Sequence, residues 1–103
     1  MVDANLHVWF DVSPHQNQTL IVPYVESPRD GRFQYALKVT NTGAAGTSNI
    51  SQGGEVSVSS GHAKAVSSVQ VAPQLGGTCE VNLTLREDSE QIGRYSYDCS
   101  VKK

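Results

Sequence analysis

Thr78-Cys-Glu-Val-Asn-Leu-Thr-Leu-Arg-Glu-Asp-Ser-Glu-Gln-Ile-Gly-Arg-Tyr-Ser-Tyr-Asp-Cys99 is the stretch that decides the fold. Cys79, Val81, Leu83 and Leu85 alternate with Glu80, Asn82, Thr84 and Arg86. A side-chain period of two marks a strand with one buried face. The polar cluster Glu87-Asp-Ser-Glu-Gln91 reads as a turn. Beyond it Tyr95, Tyr97 and Cys99 alternate with Arg94, Ser96, Asp98 and Ser100. A hairpin that sets Cys79 against Cys99 also sets Val81 against Tyr97 and Leu83 against Tyr95. One pair chooses this register, yet it carries every apolar residue to the cysteine face, which a one-residue slip would not do.

Outward from the hairpin, the same pattern recurs. Ala4, Leu6, Val8, Phe10 and Val12 alternate with Asn5, His7, Trp9 and Asp11, a first strand over Ala4 to Val12. Ser13 to Asn17 reads as a turn-rich break. Thr19 to Val25 is a second strand; Pro23 cannot donate to a ladder, which predicts an edge or a bulge there. In Arg32 to Asn41, a third strand, Phe33, Tyr35, Leu37 and Val39 share one face. Thr42 to Asn49 reads as a loop, Asn49 to Glu55 is ambiguous around Gly53-Gly54, and Glu55 to Ser59 is a short strand. Ala65 to Val71 is a further strand, and Gly53-Gly54 and Gly76-Gly77 read as bends or bulges. No segment has sustained helical periodicity. About seven short strands with intervening turn signals predict an all-β, immunoglobulin-like antiparallel β-sandwich, with a closed barrel as the alternative. Tyr97-Asp-Cys99 matches the Tyr-x-Cys of antibody domains, but the wide cysteine spacing of such domains is missing, so the likeness is one of architecture.

The chain has 103 residues, a length that suits one domain over 1–103. Eight Lys and Arg against ten Asp and Glu leave no basic excess of the kind nucleic-acid binding needs. No apolar run nears the roughly 18 residues of a membrane span, so no membrane insertion is expected. No basic segment followed by an apolar one opens the chain, so no signal peptide is read; Met1 fits either a native start or one placed on a mature, exported chain. Two cysteines, brought together by the hairpin register, suggest a disulfide closing a loop of about 20 residues, worth on the order of 3 kcal/mol. Such a bond requires an oxidising compartment; two buried free thiols are the alternative.

Few residues suggest chemistry. His7, His15 and His62 show no paired metal-ligand spacing, and neither a nucleophile elbow nor a phosphate-binding glycine loop occurs. The expectation is no enzyme, no metal and no cofactor. Three sequons begin at Asn17, Asn49 and Asn82, as chance produces in a chain rich in Asn, Ser and Thr. Two surface features remain. Trp9 falls on the polar side of the first strand, either as an exposed anchor or covered by a neighbour or a bulge. Arg32, Lys38, Arg86 and Arg94 fall on the outward face of the C-terminal sheet if the third strand lies beside the penultimate one. There they join Gln34, Asn82, Thr84 and Ser96, as a binding face or as ordinary solvated surface. Glu80 and Asp98 interrupt the basic set at one end.

Gly77-Thr-Cys-Glu-Val-Asn-Leu-Thr-Leu and Gly93-Arg-Tyr-Ser-Tyr-Asp-Cys, with Phe33-Gln-Tyr-Ala-Leu-Lys-Val-Thr-Asn and Ser51-Gln-Gly-Gly-Glu, resemble the curli-subunit chaperones of the CsgC/CsgH type, closer to the CsgH branch. The resemblance implies a small seven-stranded immunoglobulin-like sandwich in the bacterial periplasm. It implies a chaperone whose partner is an amyloid, curli-type subunit kept from polymerising early; a monomer is expected. The CsgC branch carries a Cys-x-Cys pair, absent here, so no redox role carries over. The expected client-binding residues, Arg32, Lys38, Arg86, Arg94 and Trp9, come from the sheet-face reading and not from the family. The competing reading is an extracellular immunoglobulin-like module that recognises a protein or a glycan, or serves as structure.

Overall fold

A computed structural model describes residues 6–101. Ala4 and Asn5, at the start of the expected first strand, lie outside them. Eight strands follow in chain order: β1 His7–His15, β2 Gln18–Glu26, β3 Gly31–Gly43, β4 Gly46–Val58, β5 Lys64–Ala65, β6 Val69–Val71, β7 Thr78–Glu87 and β8 Glu90–Asp98. One sheet holds β1, β2 and then β5 and β6, which both pair with the far side of β2; the other runs β4-β3-β7-β8. All pairings are antiparallel. Since β5 and β6 occupy one edge position, seven strand positions result, an immunoglobulin-like sandwich as the periodicities predict.

The β7–β8 hairpin has the expected register, with Val81 opposite Tyr97 and Leu83 opposite Tyr95. A disulfide joins Cys79 to Cys99, whose Cα atoms are 4.8 Å apart. Its strand ends are secured further: Cys99 N–H donates to the Cys79 carbonyl at 2.9 Å, and Cys79 N–H to Ser100 Oγ at 2.8 Å. Cys79, Val81, Leu83 and Leu85 are buried, together with Phe33, Leu37 and Val39 of β3. Ile21, Pro23 and Val25 of β2 face them from the other sheet and are buried too. Burying such aliphatic side chains stabilises the fold by roughly 1.5–3 kcal/mol each. Phe10 of β1 closes one flank against Tyr97 of β8, ring centroids 5.7 Å apart.

Four expectations about the elements are corrected. The break at Ser13–Asn17 shrinks to a two-residue turn: β1 runs on to His15, and Gln16 and Asn17 both adopt positive φ, 51° and 67°. That is the primed hairpin geometry, which matches strand twist. Pro23 does not lie at an edge, because β2 is paired on both sides, but the register does slip by one residue opposite it, from Ile21↔Val69 to Tyr24↔Ala65, with the extra residue on the partner segment. It fits because its missing N–H faces the gap between β5 and β6. On that side its carbonyl accepts from Val66 N–H at 2.8 Å. The same gap splits the strand expected over Ala65 to Val71.

The largest correction is β4. Thr42–Asn49 is no loop, and Gly53-Gly54 is no bend. β3 and β4 pair without interruption from Gly31↔Val58 to Gly43↔Gly46, turning on Ala44 and Ala45. Gln74 clasps this turn, accepting from Ala45 N–H at 2.8 Å and donating to the Gly46 carbonyl at 3.2 Å. Gly54 sits under the Tyr35 ring, where an added Cβ would come within 3.0 Å of it. Gly76 does turn the chain, with φ +83°. The bulge occurs instead near the β7–β8 tip, between Leu85 and Arg86. In an unshifted register Ile92 would face Arg86 on the outside. The extra residue turns Ile92 inward, to 6 % exposure.

Candidate functional site

The registers of the second sheet assign every outward side chain a place. Across β4, β3, β7 and β8 the rows run Glu55–Gln34–Arg86–Gln91, Gly53–Ala36–Thr84–Arg94, Ser51–Lys38–Asn82–Ser96 and Asn49–Thr40–Glu80–Asp98. Arg32, opposite Ser57, extends the face by one row. The four basic residues expected together therefore do share a face, each in a different row, and all four are exposed. The pairing of β3 with β7 brings them together, since these strands are joined only through the opposite sheet. Gln34, Asn82, Thr84 and Ser96 lie among them, as expected.

The face is low in its middle, opens into a concavity at the end formed by Thr40, Glu80 and Asp98, and its charge is graded. Ala36 and Gly53 occupy its middle, where no side chain stands high. Arg32 Nε lies 3.9 Å from Glu55 Oε1, an exposed pair of small energetic worth. Gln34 Nε2 donates to Glu55 Oε2 at 3.2 Å. At the far end Glu80 and Asp98 stand directly opposite each other, and Asn82 Nδ2 donates to Glu80 Oε1 at 3.3 Å. One end of the face is thus acidic, and cations predominate over the rest, where Glu55 beside Arg32 is the one carboxylate in these rows. Among the described residues no group of His, Cys, Asp and Glu is arranged to hold a metal ion.

Trp9 lies elsewhere. It projects from the outer face of the first sheet, and no bulge turns it inward. It stacks on Tyr24, its cross-strand partner, with centroids 5.5 Å apart and planes within 9°. His7 tilts against its other neighbouring side at 4.8 Å. The five expected site residues thus divide between the two outer faces of the sandwich, four on one and Trp9 on the other. Reading the sequence missed Tyr24 and His7 as partners of Trp9. It missed the low centre too, because Gly53 was not placed in a strand. The signal was the Gly43-Ala-Ala-Gly46 tetrapeptide, a tight turn that follows the alternating third strand.

A small two-sheet sandwich, stapled within one sheet and carrying a graded polar face, defines the class: an immunoglobulin-like domain whose most distinctive surface is a sheet face. The chain belongs to the CsgH family, whose model matches residues 14–99. Among solved structures it is similar to the solution structure of R. palustris CsgH, at 22 % identity over 90 % of this chain and 91 % of that one, TM-score 0.71. It is also similar to the E. coli curli protein CsgC, at 13 % identity over 92 % and 98 %, TM-score 0.75. A Bacteroides uniformis β-glucuronidase shares the fold over 13 % of its own length, at 14 % identity and TM-score 0.55. No curated protein matches by sequence.

Proposed function

We propose that this chain is a periplasmic chaperone that delays amyloid polymerisation of a curli-type subunit through transient, partly electrostatic contacts. The observation that carries the reading is the exposed face bearing Arg32, Lys38, Arg86 and Arg94, in a member of the CsgH family. Membership links the chain to curli biogenesis, since the similar E. coli protein is a curli protein. The low middle of that face suits an extended, unfolded client better than a compact ligand, which needs a concave site. Charge guides encounter, and hydrogen bonding to side-chain amides gives brief retention without ATP or cofactor. The disulfide fits an oxidising compartment. The chain acts as a monomer and catalyses no reaction in this reading.

The test is a thioflavin time course of a curli-type subunit with substoichiometric protein. A lengthened lag phase is expected, and an unchanged lag rejects the proposal. The Trp9–Tyr24–His7 cluster favours a second reading, a module that binds a protein or glycan by aromatic stacking. Under it Trp9→Ala abolishes binding and amyloid assembly proceeds unaffected.

A further inference from the structure

Each sheet of an open sandwich ends in strands whose outer N–H and C=O groups lack a ladder, and proteins blunt such edges with Pro, charge, bulges or short strands. Three of the four edge positions here are blunted. β1 carries Pro14, at a position whose N–H would face outward. The β5/β6 edge is broken into pieces of two and three residues. β8 is bulged at its start, and two of the three residues facing outward in its regular portion, Arg94 and Asp98, are charged. β4 has none of these devices. Its 13 residues pair in unbroken register, contain no Pro, and include one charge, Glu55, already drawn toward Arg32 and Gln34.

The two-residue turn makes Gly43 and Gly46 a mutually bonded pair. Antiparallel alternation then aims the N–H and C=O groups of Thr47, Asn49, Ser51, Gly53, Glu55 and Ser57 away from β3. All six residues are exposed. Three of their side chains reach over the sheet toward β3: Asn49 Oδ1 accepts from Thr40 Oγ1 at 3.1 Å, Thr47 Oγ1 donates to Thr42 Oγ1 at 3.3 Å, and Glu55 accepts from Gln34 Nε2 at 3.2 Å. The backbone edge is left clear.

We infer that β4 is a strand-addition site for an extended segment rich in Ser, Gln, Asn and Gly, which pairs antiparallel or parallel with the Thr47–Ser57 edge. This rests on the chaperone reading and names how that same surface holds its client. The occupant follows from the edge itself. Its outward row is small and polar, and such residues pair best with side chains able to form amide and hydroxyl ladders. Bulky apolar side chains would find no apolar neighbour on this row. The edge also borders the basic face, because Ser51 and Gly53 lie beside Lys38 and Ala36. A client steered by charge to that face is one strand spacing from an open ladder. Capture there removes from the client the strand edge that polymerisation needs.

The test follows amide hydrogen exchange by NMR on isotope-labelled protein, with and without a soluble synthetic peptide of Ser, Gln, Asn and Gly. Addition to β4 slows exchange at Asn49, Ser51 and Gly53 by ~10-fold or more, while amides already bonded to β3 change little. Ser51→Pro removes only an outward N–H, so it keeps the β3 ladder and is expected to lose both the peptide effect and the lag extension. Unchanged exchange at these amides in the parent overturns the inference, whether or not the variant folds. A folded Ser51→Pro protein that delays assembly as the parent does overturns it while the chaperone reading stands. A parent that fails to delay assembly removes the chaperone reading, and the peptide exchange still decides the edge. Slowing that appears with protein concentration alone identifies a second copy as the occupant and overturns the assignment.

Discussion

At the scale of single residues, the basic face owes its character to four exposed cations that contribute little to the fold. Arg86 and Arg94 project from the outer side of β7 and β8, away from the core. Reversing both to Glu therefore shifts unfolding free energy by only about 0.5 kcal/mol per site, the range of ordinary surface changes. The same double reversal is expected to abolish the lag extension in a thioflavin assay. A retained lag with normal stability would remove the electrostatic component. Trp9 behaves in the opposite way. Trp9→Ala loses its stack on Tyr24, a cost of about 1 kcal/mol in chemical denaturation. It leaves the lag unchanged if the basic face holds the client.

At the scale of elements, the hairpins show how small local signals decide strand length. Gln16 occupies a left-handed position that costs most side chains about 1–2 kcal/mol and suits Asn better. Gln16→Asn is expected to raise stability by about 0.5 kcal/mol in a urea titration, without the chain entropy that glycine adds. Gly93 plays a packing role beside the bulge, because the Tyr95 ring lies where its Cβ would go. Gly93→Ala forces that ring aside and is expected to destabilise by about 1–3 kcal/mol, with the change concentrated in β8 amide shifts. The β7–β8 pairing was legible from alternation alone, since its apolar residues are unambiguous. β4 was not, because in Gly46-Thr-Ser-Asn-Ile-Ser-Gln-Gly-Gly-Glu only Thr47 and Ile50 are β-branched and none is aromatic, too few to mark a strand. Its partner β3, and not its own propensity, holds it extended.

At the scale of the whole molecule, 103 residues provide one modest core, so a covalent staple matters. Replacing Cys79 and Cys99 with Ser is expected to lower stability by about 3 kcal/mol, measured by the shift of the denaturation midpoint. β3 lies outside the closed loop, and its ladder with β7 does not depend on the covalent bond, so it keeps the basic face assembled in the folded fraction. Raising ionic strength from ~0.1 M to ~1 M contracts the screening length from ~10 Å to ~3 Å. Inhibition by the parent is expected to weaken across that range while its melting curve changes little. Salt-independent inhibition would shift the weight from the charged face to the β4 edge.

The sequence by itself determined the fold class, the β7–β8 register short of its bulged tip, and the placing of its two cysteines opposite each other. The reason is that period-two burial and a single cross-strand pair are local properties, readable over a few tens of residues. The identity of the basic residues and their outward direction were local as well. Tertiary structure alone decided that they share a face, because β3 meets β7 only after the chain has crossed to the other sheet and back. It alone set Trp9 on the opposite side, against Tyr24. It alone extended β4 into an open edge, since a polar, glycine-bearing segment becomes a strand only when a neighbouring ladder satisfies half of its backbone.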